Sequence, residues 1–236
     1  MILYSSWRTI LVVSAVLPAL FLLVRTWRLD RLEKESPSLL VSLVVLGIVS
    51  TVLAIAWEWV GTFLLDRSMS ERDPAYHYVF CFLVVGLGEE LCKFVLLYRR
   101  TWREREFNCT YDAVVYAVFL SLGFALWENV RYVFAYGLST ALVRALTAVP
   151  GHASFGVFMG VWYGRAKALS LRRDHTFSRA CLLLCVLIPA ALHGLYDFIA
   201  TDTSAAEWVF PVFILTLFAL SYAQIRRSSR QDTPLR

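Results

Sequence analysis

Charge is what this chain has least of. Only 17% of its 236 residues are Asp, Glu, Lys or Arg, against 58% hydrophobic ones, and the mean hydropathy is +0.60. That balance excludes an ordinary soluble domain. The cysteines, Cys81, Cys92, Cys109, Cys181 and Cys185, form no CxxC pair and lie mostly in apolar runs. They read as small packing residues rather than a disulfide framework or a zinc site. There is no HExxH, no GxSxG elbow and no cysteine paired in sequence with a histidine. The usual zincin geometry is thereby excluded, and no serine or cysteine nucleophile is signalled. An internal repeat, common in transporters built from broken helices, is also missing. The net charge of +5 is carried by arginines in short connections, where it orients a membrane protein and does not mark a nucleic-acid surface.

Long apolar runs are what the chain does have. They lie at about 7–24, 38–64, 75–98, 111–135, 142–164, 180–200 and 207–225, each of bilayer length. The expectation is an all-α, polytopic transmembrane bundle of about seven spans, a single domain over 1–236. The first run lacks a basic n-region and a small-residue cleavage site, so it reads as a retained helix and not a signal peptide. Basic residues cluster after the first span (Arg25, Arg28, Arg31, Lys34), the third (Arg99, Arg100, Arg103, Arg105) and the fifth (Arg165, Lys167, Arg172, Arg173, Arg179). The tail adds Arg226, Arg227, Arg230 and Arg236, while the alternate connections hold few. The positive-inside bias then puts the amino terminus outside and the carboxyl terminus inside.

Against this background a few polar groups stand out. Glu89, Glu90 and Lys93 lie within the third run, with Glu89 and Lys93 on one helix face. Intramembrane ionisable groups are expensive unless they face protein, water or a partner, and by default they mark function. The fourth run opens at Asp112, read as a helix cap, and closes with Glu128 beside Asn129. Arg131, three residues on, is near enough to satisfy Glu128. Trp127 would narrow a site there if it faced inward. His152 shares its face with Ala148, Gly156, Gly160 and Gly164, a small-residue stripe for close helix approach. Pro150 frees the carbonyl of Leu146 beside it, and Pro189 frees that of Cys185 ahead of His193. Asp197 lies one turn beyond His193 on the same face. His77 and His175 have no mid-membrane setting and are assigned no role. The first, second and seventh spans, Glu58 included, read as scaffold.

At about 1.5 Å per residue, Glu89 lies roughly 14 Å above the basic end of its span, His193 roughly 18 Å, His152 roughly 20 Å and Glu128 roughly 24 Å. Four helices thus offer polar groups to one layer, from mid-membrane to the outer half. A carboxylate in a partly dry cavity suits a general base that takes a proton from water and returns it. Histidines nearby can donate to the oxyanion of a tetrahedral intermediate or hold a metal. Peptide hydrolysis fits these groups. So does a proton-coupled transporter or channel using them as a relay, or a non-catalytic bundle that shelters another membrane protein.

Glu89-Glu-Leu-Cys-Lys93, Tyr111-Asp112 leading to Gly123-Phe-Ala-Leu-Trp-Glu-Asn129, Arg144 with His152, and His193-Gly-Leu-Tyr-Asp197 together carry a resemblance. In that order, over roughly residues 75–200, they resemble the motifs of PrsW-type intramembrane proteases, a group similar to the CAAX prenyl and bacteriocin-processing proteases. The resemblance implies a cell-membrane enzyme with its catalytic core at about 75–200. Its substrate would be a membrane-anchored protein, typically an anti-sigma factor, cut near the outer face. Glu89 and Glu90 would supply the base, with His152 and His193 as partners and Lys93, Glu128, Asn129, Arg144 and Asp197 in support. Metal dependence stays open: none, or one divalent ion such as zinc, held if present by His152, His193, Asp197 and Glu128. The lipid bilayer and the substrate are the expected partners, and nucleic acid is not.

Overall fold

The structure is a computed structural model and describes residues 2–202 and 206–235, with residues 2–8 as backbone alone. Arg236, counted above among the basic residues of the tail, lies outside the described residues. Helices account for nearly all of the described chain: α1 (Ile2–Leu29), α2 (Pro37–Ser68), α3 (Pro74–Val79), α4 (Leu87–Thr101), α5 (Asp112–Tyr136), α6 (Leu138–Leu146), α7 (Ala148–Leu171), α8 (His175–Thr201) and α9 (Val209–Arg230). A π-helical segment, Phe80–Gly86, joins α3 to α4 without a break.

The helix ends follow local chemistry. Ser36 caps α2 by accepting from the Leu39 N–H, with Pro37 in the first turn. Asp73 and Asp174 cap α3 and α8 in the same way. Gly137, at φ +87°, closes α5, a backbone state that costs glycine nothing.

Thr9–Leu29, α2, α5, α8 and α9 are each long and apolar enough to cross a membrane. The run expected at 75–98 is one continuous helix from Pro74 to Thr101, widened in its middle by the π segment. The run expected at 142–164 is not one helix. It breaks at Thr147 (φ −122°, ψ −73°) into α6 and α7. Pro150 explains the break, because its ring excludes the carbonyl of Leu146 and it has no N–H to donate. In place of loosening a helix, Pro150 sits in the first turn of a new one, and α8 meanwhile continues through Pro189.

The core is organised round α5, whose first half from Asp112 to Ala125 is buried throughout. α1, α2, α4 and α7 pack against it, α8 lies against α7, α4 and the π segment, and α9 packs outside α7 and α8. The glycine stripe of α7 faces α5: a Cβ on Gly160 would fall 2.5 Å from the Cα of Val114. A Cβ on Gly86 would meet the Ala190 carbonyl oxygen at 2.7 Å and the Gly194 nitrogen at 2.8 Å, so the end of the π segment rests on the backbone of α8.

At the basic end of the bundle the connections interlock. Ser36 donates to Glu106 through both its N–H and its hydroxyl. The Asn108 amide donates to Glu33, and Lys167 donates to the carbonyl of Trp102. The tail crosses them, with the Leu235 N–H on the Asn108 carbonyl and the Thr110 N–H on that of Thr233.

Candidate active site

Glu89 and Glu90 sit in the first turn of α4, directly after the π segment. π segments recur at functional sites because they re-aim the residues that follow. Here both carboxylates point inward, Glu89 at 6% exposure and Glu90 at 0%. The Lys93 ammonium, also fully buried, lies 3.2 Å from Glu89 Oε2 and 2.7 Å from Glu90 Oε1. It also contacts His152 Nδ1 at 3.2 Å and stands 3.9 Å from the centre of the Phe124 ring. One cation thus serves two carboxylates, an imidazole and an aromatic face from three helices.

His193 arrives from α8, its Nδ1 at 3.0 Å from Glu90 Oε1 and 3.8 Å from Glu89 Oε2. The two imidazoles stand edge to face, 5.2 Å between centroids, with Phe155 stacked on His193. Each imidazole turns Nδ1 toward the Glu89–Lys93 cluster and Nε2 toward a carboxylate behind it. For His152 that carboxylate is Glu128, at 2.8 Å; for His193 it is Asp197, at 3.5 Å. Glu128 is held in turn by Arg144, at 2.7 Å, and not by Arg131. The turn at Gly137, between the two helices, is what brings α6 and Arg144 back over the end of α5. Arg144 also donates to Asn129, whose amide donates to the Ala15 carbonyl and so ties the site to α1. Trp127 is 41% exposed and faces away, so it narrows nothing.

The structure therefore joins Glu89, Glu90, Lys93, Glu128, Asn129, Arg144, His152, His193 and Asp197 in one network. A cavity of about 360 Å³ opens beside it, lined by Glu58, Glu89, Glu128, His193 and Asp197 and running out to His77 and Thr201 at the ends of α3 and α8. On α4 its lining stops at Glu89, and Glu90 does not reach it. Sequence reasoning passed over two of these residues. Glu58 was read as scaffold although it interrupts an apolar run, and that interruption was the available signal. Nothing in the sequence distinguishes His77, which the fold alone brings within 3.1 Å of Thr201.

Motif order had already suggested a family, and a direct comparison decides the question. The model of the PrsW family intramembrane metalloproteases matches residues 35–223. The chain belongs to the PrsW family. It is 38% identical over 152 residues to Protease PrsW of Halalkalibacterium halodurans, covering 64% of this chain and 68% of that protein. It is 30% identical over 219 residues to Protease PrsW of Oceanobacillus iheyensis, covering 92% and 94%. Over 224 residues it is 30% identical to Protease PrsW of Geobacillus kaustophilus, covering 95% and 94%. No solved structure matches the chain. With five helices able to span among the described residues, this PrsW-family chain is a multi-pass integral protein of the cell membrane and an intramembrane protease.

The family's description as metalloproteases can be tested on the donors. One atom each from Glu89, Glu90, His152 and His193 lies within 4.8 Å of all the others, and the four residues are buried. Glu90 Oε2 is buried without a partner. A carboxylate behind each imidazole is the arrangement that orients metal-bound histidines. The set fits a divalent ion of the zinc type, on one condition: the Lys93 ammonium occupies three of these groups and would have to give way.

Proposed function

We propose that the chain is an endopeptidase that hydrolyses membrane-anchored proteins at the Glu89–His193 cluster, near the extracytoplasmic face. The observation that carries this reading is a buried carboxylate pair beside a polar cavity, with only one member reaching it. Glu89 faces the cavity, where it removes a proton from water as the oxygen attacks the scissile carbonyl carbon. The proton then passes to the leaving amine nitrogen as the C–N bond of the tetrahedral intermediate breaks. Glu90 stays with Lys93 and His193 and positions both. His193 also borders the cavity and can present a ring N–H to the developing oxyanion, while His152 is held behind it by Glu128 and Arg144. Were a divalent metal bound by Glu89, Glu90, His152 and His193, it would add Lewis-acid polarisation of the carbonyl, and Glu89 would act as base through the oxygen that does not bind it.

The cavity runs away from the basic end of the bundle, toward the ends of α3 and α8. With seven spans and the basic connections inside, as the positive-inside bias supports, water reaches Glu89 from outside. A substrate helix is hydrolysed only where its own backbone hydrogen bonds are open. The cut then falls within about two turns, or roughly 11 Å, of the outer surface. An anti-sigma-factor-like substrate, as the motif resemblance implies, supplies such a single-span segment. The test is cleavage of single-span substrates by purified Glu89→Gln and Glu90→Gln. The amide keeps shape but cannot act as a base, so Glu89→Gln should lose activity by several orders of magnitude. Glu90→Gln should keep more activity than Glu89→Gln. Normal cleavage by Glu89→Gln would overturn the assignment, and mass spectrometry of the fragments fixes the side of the cut.

A further inference from the structure

A second cluster of acids lies at the opposite, basic end of the bundle and takes no part in the chemistry above. Asp30 and Glu35 come from the α1–α2 connection and Asp112 from the start of α5. One oxygen of each lies within 4.8 Å of the others. Asp232 of the tail stands next to them. Asp112 does not cap its helix, as its position first suggests; its Oδ2 accepts the N–H groups of Asn108, at 3.0 Å, and Cys109, at 2.6 Å.

The other acids are pinned by one oxygen as well. Glu35 Oε2 accepts the Tyr116 hydroxyl at 2.7 Å, and Asp232 Oδ1 accepts the Thr110 hydroxyl at 2.9 Å and the Tyr111 N–H at 2.8 Å. In each case the remaining oxygen, Glu35 Oε1, Asp112 Oδ1 or Asp232 Oδ2, is buried with no donor group on it, and the Glu35 and Asp112 carboxyls lie within hydrogen-bond reach of each other. Asp30, at 3% exposure, has no side-chain donor on either oxygen, and only the Arg31 N–H lies near its carboxylate. The neighbouring Lys34 spends its ammonium on the main-chain carbonyls of Trp27 and Asp30, over the Trp27 ring, and leaves the carboxylates unpaired. Buried polar atoms without partners are costly, and here they converge from three chain segments.

We propose that Asp30, Glu35, Asp112 and Asp232 form a site for a hard divalent cation, Ca²⁺ or Mg²⁺. An all-oxygen carboxylate set selects such ions over zinc or copper. An oxygen separation of up to 4.8 Å is what two ligands on opposite sides of one calcium ion would show. The hydrogen bonds from Tyr116, Asn108, Cys109, Thr110 and Tyr111 are then the outer contacts that orient the ligands. A bound cation clasps the α1–α2 connection and the tail onto the start of α5, the helix that carries Glu128 at its far end.

Terbium luminescence tests this, because Tyr116 and Tyr111 lie close enough to sensitise an ion held there. Chelator-stripped protein in detergent is titrated with Tb³⁺ under tyrosine excitation, then with Ca²⁺ and Mg²⁺ separately as displacing ions. Saturable emission displaced by one of them is expected, the displacing ion identifying the cation. Asp30→Asn should weaken binding by roughly ten-fold or more, and Glu89→Gln should leave it unchanged. Should Asp30→Asn fail to fold, wild-type protein still decides, through a rise in Tm with Ca²⁺ or Mg²⁺ and slower digestion of the tail by carboxypeptidase. Emission that fails to saturate, or that Glu89→Gln abolishes while Asp30→Asn keeps it, overturns the proposal. So does a Tm and a tail digestion that neither ion alters; the acids would then share protons.

Discussion

Replacing Lys93 by methionine tests most directly whether one cation organises the network of Glu89, Glu90, His152 and His193. The substitution roughly preserves volume and removes the charge that lies 3.2 Å from Glu89 and 2.7 Å from Glu90. Two adjacent carboxylates, Glu90 fully buried and Glu89 at the cavity edge, would then keep only His193 as a neighbouring partner for both. Removing one partner of a buried ion pair costs about 3–5 kcal/mol, against a total stability of roughly 5–15 kcal/mol. For a chain of this length each kcal/mol shifts Tm by about 2–4 °C, so a fall of roughly 6–20 °C is expected. The five free cysteines, four of them buried, make a maleimide dye a direct reporter of unfolding in detergent. Adding Glu89→Gln and Glu90→Gln to Lys93→Met removes all three charges, and most of the stability should return, because neutral groups of similar shape replace a buried ion network at little cost. An unchanged Tm for Lys93→Met, or a triple variant that melts lower still, would refute the reasoning.

Further outcomes follow from other contacts. Lys93→Met should bind Zn²⁺ at least about ten-fold more tightly than the parent, by competition with a chromophoric chelator, since an ammonium no longer competes for the donors; equal affinity would place any metal elsewhere. Gly160→Ala, whose Cβ would fall 2.5 Å from Val114 Cα, should destabilise by about 1–3 kcal/mol by forcing α5 and α7 apart; an unaltered melting curve would contradict the packing. Gly86→Ala pushes the π segment off α8 and should lower kcat more than its Tm shift accounts for, because Glu89 and Glu90 then move relative to His193. Arg144→Ala leaves Glu128 with His152 alone and should slow cleavage, with partial rescue in Arg144→Lys; activity equal to the parent would remove Arg144 from the site.

The composition and the run lengths alone determine an all-helical membrane protein, because a bilayer admits only segments whose backbone groups are satisfied internally. The same reasoning picks out Glu89, Glu90, His152 and His193, since a charge or an imidazole amid apolar residues has few explanations. Such local signals could not say who pairs with whom. Sequence proximity offered Arg131 to Glu128, but the fold supplies Arg144 from sixteen residues away, across the turn at Gly137 that joins α5 to α6. A cap was the local reading of Asp112, yet its carboxylate faces Asp30 and Glu35, more than seventy residues distant in the chain. The division between Glu89, which reaches the cavity, and Glu90, which does not, also belongs to tertiary structure. Both stand in the first turn of α4, and their spacing from Lys93 does not say which one meets the cavity; that depends on what α8 and the π segment place beside them, contacts that form only between helices.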